Sequence, residues 1–522
     1  MSPLPRPSWL TDAHFPGWAA LASVAAAAPH LPVLAPFTGG ILAHLPRGNA
    51  EDVVKAAATG RAAQPAWAAR PVASRAALLL RVHDLLLARQ EQILDLIQLE
   101  TGKARRHAFE EVADAANVLR YYAVRAPAWL APSRRRGALP LLTKTTCESA
   151  PAGVVAVIVP WNYPLNLFIT DITPALVSGN AVVAMPDQQT SFTALWALAL
   201  LRETGVPDAI LQVVTGVGAE LGPVLVDQAD AVLFTGSTAT GRIVAAQAAA
   251  RLVPASVELG GKNALLVLDD ADLDAAVDGI VRGCFVGAGQ VCLSYERLYI
   301  DRRVHDTLVP RLVERTRALR LACSFDWDVE VGTLGSAKQL ARVRAHVDDA
   351  VARGARVLVG GTGRPDIGPF VFEPTLLTGV TPAMALWGDE TFGPVAAVYA
   401  VDGDDDAVAR ANDSAYGLTA SVWSQDIARA ESVARRLAVG SVNINEAYAA
   451  AWGSVDSPSS GWKASGPGHR HGRRAFNCVT RPKTIAVQRL VPLALPAGVA
   501  PATYQRALTA MLWLMRRIPG LR

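Results

Sequence analysis

The sequence predicts an α/β protein built from two lobes, each centred on a sheet. Short apolar strands alternate with helical text through about 100 residues after position 154, as βαβ units with parallel strands do. A second alternating series follows the Gly-rich segment near 287. The length of 522 residues also suits roughly three to four domains or two large ones.

The first 130 residues read as mainly helical. Asn49-Ala-Glu-Asp supplies an N-cap and early carboxylates. Residues 75–98 place Leu79, Val82, Leu85, Leu86, Ile93 and Leu96 at helical spacing. Residues 133–149, with Thr and Lys alternating, read as a hairpin outside both lobes. Val154 to Val159 is a continuous β-branched run ended by Pro160, the pattern of a strand buried on both faces. Further strands are expected at 181–185, 211–214 and 231–234, with a helix at 192–203. In the second series strands are expected at 298–300, 356–358, 396–401, 419–423 and 441–444, separated by helices near 335–353, 404–412 and 426–438. Right-handed crossovers put the strand C-termini of a parallel sheet on one edge, where such sheets bind ligands.

Composition narrows the function classes. The chain is 51% hydrophobic, and 50 Lys+Arg against 46 Asp+Glu leave a net charge of +4. That excludes a disordered chain and leaves no footprint for nucleic acid. The basic runs Arg134 to Arg136 and Arg516-Arg517 read as solvated ends. Five cysteines, at 147, 284, 292, 323 and 478, form neither a disulfide framework nor a metal set, and His469 and His471 lack metal-binding partners. No metal is expected, and a reducing cytoplasm is the default compartment. The apolar stretch 19–37 is interrupted by Pro29, Pro32 and Pro36, so it reads neither as a signal peptide nor as a membrane span. The run 507–515 is too short to span. It reads as a helix docked on the protein body, with an interfacial helix as the alternative.

Three groups suggest chemistry. Gly236 and Gly241 bracket a strand-to-helix turn where backbone N–H groups and a helix N-terminus suit a phosphate, although an ordinary glycine turn has the same pattern. Glu258 precedes Gly260-Gly261, and Cys292 follows the flexible turn Gly287-Ala-Gly. Taken alone, a free cysteine is most often a small buried hydrophobe, and nothing in the spacing brings Cys292 to Glu258.

Ordered motifs across residues 35–490 carry a resemblance. They are Glu100-Thr-Gly-Lys103, Pro160-Trp-Asn-Tyr-Pro164, Gly179-Asn180, Phe234-Thr-Gly-Ser-Thr238 and Glu258-Leu-Gly-Gly-Lys262. Gly289-Gln-Val-Cys292, Glu390-Thr-Phe-Gly-Pro394, Ala411-Asn-Asp-Ser-Ala-Tyr-Gly-Leu418 and Lys463-Ala-Ser-Gly466 follow. The chain resembles the aldehyde dehydrogenase superfamily, and within it the bacterial NADP-dependent succinate-semialdehyde dehydrogenase group of the second type.

The resemblance implies roles. Cys292 is the nucleophile, the Asn162 side chain and the Cys292 backbone N–H hold the oxyanion, and Glu258 activates the hydrolytic water. Cofactor contacts fall on Trp161, Asn162, Gly236, Ser237, Leu259, Glu390 and Phe392. The adenosine-ribose segment is Met185, Pro186, Asp187 and Gln188. Gln188, where many relatives have Glu, removes repulsion against a 2′-phosphate, whereas Met185 replaces the usual Lys. NADP is the expected cofactor, with NAD as the alternative.

Two further departures matter. Familiar relatives carry Lys and Glu where this chain has Asp171 and Arg470, so a pair of reversed polarity is expected beside Glu258, favouring carboxylate Glu258 and thiolate Cys292. The arginines that grip the far carboxylate of succinic semialdehyde in relatives are replaced by Thr170 and Val286, with Arg470 or Arg297 as substitutes. Succinic semialdehyde is nevertheless the leading small-molecule substrate. Phe285 and Val286 suggest an aliphatic or aromatic aldehyde as the alternative. A non-catalytic, aldehyde dehydrogenase-like binding protein is the remaining reading, suggested by Met185 and Ser459-Ser460 and opposed by Cys292, Glu258, Asn162 and Glu390.

The implied architecture is a Rossmann-type cofactor domain over 1–133 and 153–262 and an α/β catalytic domain over 263–478. A β arm at 134–152 and 479–490 makes a homodimer or homotetramer. The tail 491–522 carries a helix near 503–517. Neither a nucleic-acid partner nor a membrane span is expected.

Overall fold

The computed structural model describes residues 7–139, 142–489 and 492–518. The parts of the expected units at 1–6, 140–141, 490–491 and 519–522 lie outside the described residues.

The first lobe is a five-stranded parallel sheet in the order Leu211–Val213, Ala181–Pro186, Val154–Val159, Ala231–Thr235, Ala255–Glu258. Val154–Val159 is central and buried throughout, as a strand covered on both faces must be. Register sets Val159 beside Pro186 and Thr235 beside Glu258. The turns that follow these strands, at Trp161, Asp187, Gly236 and Leu259, therefore share one edge.

The second lobe is a seven-stranded sheet in the order Arg356–Val359, Thr375–Thr378, Val395–Val401, Tyr295–Asp301, Asn263–Val267, Thr419–Trp423, Ser441–Ile444. Only the Arg356–Val359 edge is antiparallel to its neighbour. Two hydrophobic cores surround the two sheets. Val455, Phe476, Cys478 and Val479 pack in the first core, although the expected catalytic unit runs to 478.

Three local features add to or alter the sequence expectations. A strand pair, His30–Ala35 with Gly40–Pro46, interrupts the N-terminal helices and inserts Val33, Ala35 and Leu45 into the first core. The helical text over 75–98 forms two helices, Val72–Ala88 and Gln90–Thr101. At their junction Arg89 takes φ −112° and ψ 22°, and its guanidinium forks onto Glu203 at 2.7 Å through both nitrogens. The break lets Ile93 through Thr101 be buried on every side, which one amphipathic helix does not allow.

The third lies in the tail. Helix Pro501–Arg517 is formed, but none of its residues is buried, so the expected docking on the body is not made. The preceding strand Thr480–Gln488 runs to the tip of the arm, ending beside Thr143, and so delivers the helix away from both cores. That strand, Thr143–Pro151 and Ser133–Arg135 form the arm's antiparallel sheet, with Thr143–Pro151 in the middle. Among the described residues, no helix is long and apolar enough to cross a membrane, and no group of three or more His, Cys, Asp or Glu is placed to hold a metal.

Candidate active site

Two cavities meet at Cys292. One, of about 280 Å³, is lined by Asn162, Tyr163, Leu167, Val291, Cys292 and residues of the 105–129 and 448–453 segments. The other, of about 310 Å³, opens along the edge of the first sheet and is lined by Trp161, Gly236, Ser237, Leu259, Glu390 and Phe392. Cys292, Asn162 and Leu167 line both cavities.

The thiol is placed by a tightly constrained turn. Helix Leu273–Phe285 ends into Gly287, Ala288 and Gly289, all with φ between +55° and +71°. A Cβ on Gly289 would run into the Gly393 backbone, so this position requires glycine. Gly287 N–H donates to His107 Nδ1 at 3.1 Å, and burial holds His107 neutral by pushing its pKa down to about 3. Asn263 Nδ2 donates to the Cys292 carbonyl at 2.7 Å. Burial pushes the Cys292 thiol up to about 12, against a smaller downward pull from Arg470.

Asn162 follows the central strand and precedes helix Pro164–Val177, all of which is buried. Its side-chain amide donates to the Gln290 carbonyl at 2.9 Å, tying the turn after the strand to the cysteine loop. Lys103 donates to the Asn162 carbonyl and pairs with buried Glu111, whose other oxygen accepts from Leu165 and Asn166 N–H at the helix start. The Glu-Thr-Gly-Lys motif is thus structural here. Glu100 accepts from Phe192 and Thr193 at the start of the next helix, and Lys103 braces Asn162.

Glu258 ends its strand with Oε1 buried and without a hydrogen-bond partner. A Cβ on Gly468 would collide with that oxygen. Burial pushes the Glu258 carboxyl up to about 8, with Arg470 pulling it down and Asp171 pushing it up. Arg470 Nη2 reaches Asp171 at 2.8 and 2.9 Å and Thr235 Oγ1 at 2.8 Å. Arg470 acts on both Glu258 and Cys292 in the expected direction, but desolvation outweighs it at each, so both groups are biased towards their protonated forms.

On the other cavity, Trp161 and Phe392 meet edge to face at 5.7 Å. Phe392 has φ +57° and is held there by Glu296, which accepts its N–H at 2.9 Å and itself pairs with buried Lys262. Glu390 accepts from Gly261 N–H at 2.8 Å, and burial pushes its carboxyl up to about 7. A Cβ on Gly260 would occupy the space of that carboxylate. Ser237 caps helix Thr238–Ala250, which places a helix N-terminus and the Gly236 turn at the cavity wall.

Met185 to Gln188 do not line this cavity. They lie one strand over. Met185 is buried with its terminal methyl towards Gly218 and Gly222, Asp187 caps the turn at Gln189, and Gln188 is exposed.

The expected substitute arginines are committed elsewhere. Arg297 donates to the carbonyls of Lys262, Ala411 and Arg410 in the second lobe, and Arg470 is taken up by Asp171 and Thr235. Thr170 hydrogen-bonds Asn166, and neither Thr170 nor Val286 lines the thiol cavities. Sequence reasoning did not single out Glu110, Asp114, Tyr448 and Trp452, which do. Glu110 and Asp114 are one helical turn apart, a signal of a shared face. Tyr448 and Trp452 reach them only through the fold.

Comparison with known proteins agrees with this architecture. The aldehyde dehydrogenase family model matches residues 24–485. A Mycolicibacterium smegmatis protein named putative succinate-semialdehyde dehydrogenase, NADP(+), is 46% identical over 489 residues, covering 94% of this chain and 95% of that protein. A Mycobacterium ulcerans protein of the same name, numbered 2, is 44% identical and covers 93% of each. The crystal structure of betaine aldehyde dehydrogenase from Staphylococcus aureus in complex with NAD+ superposes with a TM-score of 0.86 at 30% identity, over 91% of this chain and 95% of that one. The chain belongs to the aldehyde dehydrogenase family.

Proposed function

We propose that the protein oxidises an aldehyde to its carboxylic acid at Cys292, using NADP and accepting NAD. The observation that carries this reading is the position of Cys292 and Asn162 on the shared wall of two cavities, one for the aldehyde and one for the cofactor. Water and oxidised cofactor enter, and acid, reduced cofactor and a proton leave.

The residues of the edge cavity fit a nicotinamide dinucleotide. Glu390 and Phe392 would hold the nicotinamide ribose, Leu259 the ring, and Trp161, Gly236 and Ser237 the phosphate and ribose groups. Met185, Pro186, Asp187 and Gln188 would line the adenosine ribose, and neutral Gln188 admits a 2′-phosphate. The bound cofactor supplies the hydride acceptor that turns a thiohemiacetal at Cys292 into a thioester.

The chain's own groups do the rest. The Cys292 sulfur adds to the carbonyl carbon as its proton leaves to solvent. The oxyanion is met by the Asn162 amide, whose other N–H is fixed on Gln290, and by the Cys292 backbone N–H. Glu258 then takes a proton from the water that attacks the thioester, the C–S bond breaks, the proton passes from Glu258 to the departing Cys292 sulfur, and the acid leaves. A base at about 8 suits this work, since it accepts a proton readily and is ionised in part near neutrality.

Succinic semialdehyde is the substrate that the relatives' names suggest. An aliphatic or aromatic aldehyde is the reading favoured by the cavity, because the described residues lining it include no Lys or Arg to pair with a carboxylate. A homodimer or homotetramer through the arm is supported by its outer strand, where Ile485 and Val487 are exposed. The test is formation of reduced NADP by purified protein with succinic semialdehyde or hexanal, and with Cys292→Ala. Turnover that the substitution abolishes supports the reading. Turnover that survives it, or none with any aldehyde, overturns it.

A further inference from the structure

The aldehyde cavity carries a charge pattern that the family assignment does not explain. Of its lining residues among those described, two are acidic and none is Lys, Arg or His. Glu110 and Asp114 share one face of helix Arg105–Trp129. Opposite them in the chain, Tyr448 and Trp452 line the same space. The Tyr448 hydroxyl donates to Glu110 Oε2 at 2.7 Å, and Trp452 Nε1 donates to Asp114 Oδ2 at 2.8 Å.

These contacts leave acceptor capacity unused. Asp114 is 8% exposed, and its Oδ1 is buried and accepts no hydrogen bond. A buried, half-satisfied carboxylate is costly unless something completes it. Burial pushes Asp114 up to about 6, so it is mostly ionised near neutrality. The nearby cations have other partners: Arg470 pairs with Asp171, Lys103 with Glu111 behind the Tyr163 ring, and Arg282 with Glu446. Arg470 still acts on Asp114, and Lys103, Arg282 and Arg106 on Glu110, but none of them lines the cavity, so the only charged side chains among the described residues of the wall are acidic.

We propose that the cavity selects aldehydes bearing a cationic group, an ammonium or quaternary ammonium, held between Asp114 and Glu110 with the aromatic faces of Trp452 and Tyr448 beside it. The proposal rests on the assignment of Cys292 as the aldehyde-oxidising centre. A carboxylate-bearing aldehyde meets like charge here, whereas a cation gains both ionic and cation–π attraction in a partly desolvated site.

The experiment uses the full-length enzyme with NADP and compares kcat/KM for 4-(trimethylammonio)butanal, its uncharged isostere 5,5-dimethylhexanal, and succinic semialdehyde. The cation should exceed the isostere by about tenfold or more, with succinic semialdehyde lowest. In Asp114→Asn, and independently in the more exposed Glu110→Gln, the ratio of cation to isostere should fall several-fold, through KM rather than kcat. Because the readout is a ratio on one preparation, a partial loss of folded enzyme does not move it. A cation no better than the isostere, a leading rate with succinic semialdehyde, or unchanged ratios in both variants overturns the proposal while leaving aldehyde oxidation intact. No turnover with any of the three overturns the underlying assignment instead.

Discussion

Arg470 and Asp171 form a buried ion pair, with Arg470 Nη2 at 2.8 and 2.9 Å from the two carboxylate oxygens, beside the unpartnered Glu258. The pair joins the loop after residue 466 to the helix that follows the Asn162 turn. Breaking a buried pair by removing one partner costs about 3–5 kcal/mol, because the other charge is left without compensation. Arg470→Met is therefore expected to lower the unfolding temperature substantially, and Asp171→Lys combined with Arg470→Glu to recover part of the loss. Calorimetry on the single and double variants checks this.

The pair also sets the pH response, with opposite signs for its two members. Glu258 sits at about 8, above its ordinary value, so its base form appears as pH rises through that point. Where hydrolysis limits turnover, kcat should rise with a midpoint near 8. Arg470 pulls this midpoint down and Asp171 pushes it up. Asp171→Asn should shift the profile to lower pH, and Arg470→Met to higher pH. A pH–kcat profile of each variant gives the answer.

Gly468 leaves room for the Glu258 carboxylate, which a Cβ would strike. Gly468→Ala is expected to turn that side chain out of its present seat and slow thioester hydrolysis by roughly a hundredfold or more, within the usual range for a general base. Stopped-flow measurement should then show a burst of reduced cofactor followed by a slow steady state.

Gln188 is exposed at the end of its strand, where a charge faces solvent. Gln188→Glu is expected to raise KM for NADP about fivefold or more and to spare NAD, since one like-charge contact at 4 Å in water is worth about 1 kcal/mol. Initial-rate comparison of the two cofactors tests it.

Several strands were legible because their chemistry is local. Val154–Val159, Thr419–Trp423 and Ser441–Ile444 are strands over the expected residues. Asn263–Val267, at the middle of the second sheet, was hidden in a glycine-flanked motif, and Ala255–Glu258 is too short and too polar to stand out. The His30–Ala35 strand escaped because proline and alanine mask its alternation. The break at Arg89, whose guanidinium meets Glu203 114 residues away, is contained in no local pattern. At the site, the motifs supplied Cys292, Glu258 and Asn162, and opposite signs at 171 and 470 suggested a pair. The net titration of Glu258 and Cys292 depends on burial, and the acidic cavity wall on tertiary packing of Trp452 against Asp114.

The most direct test of the account is the intact mass of Glu258→Gln protein mixed with aldehyde and NADP, followed by peptide mapping. With hydrolysis blocked, one acyl group per chain is expected, held as a thioester on Cys292, with an equivalent of reduced cofactor formed. Reduced cofactor with no adduct, or an adduct on Cys147, Cys284, Cys323 or Cys478 in place of Cys292, would contradict it.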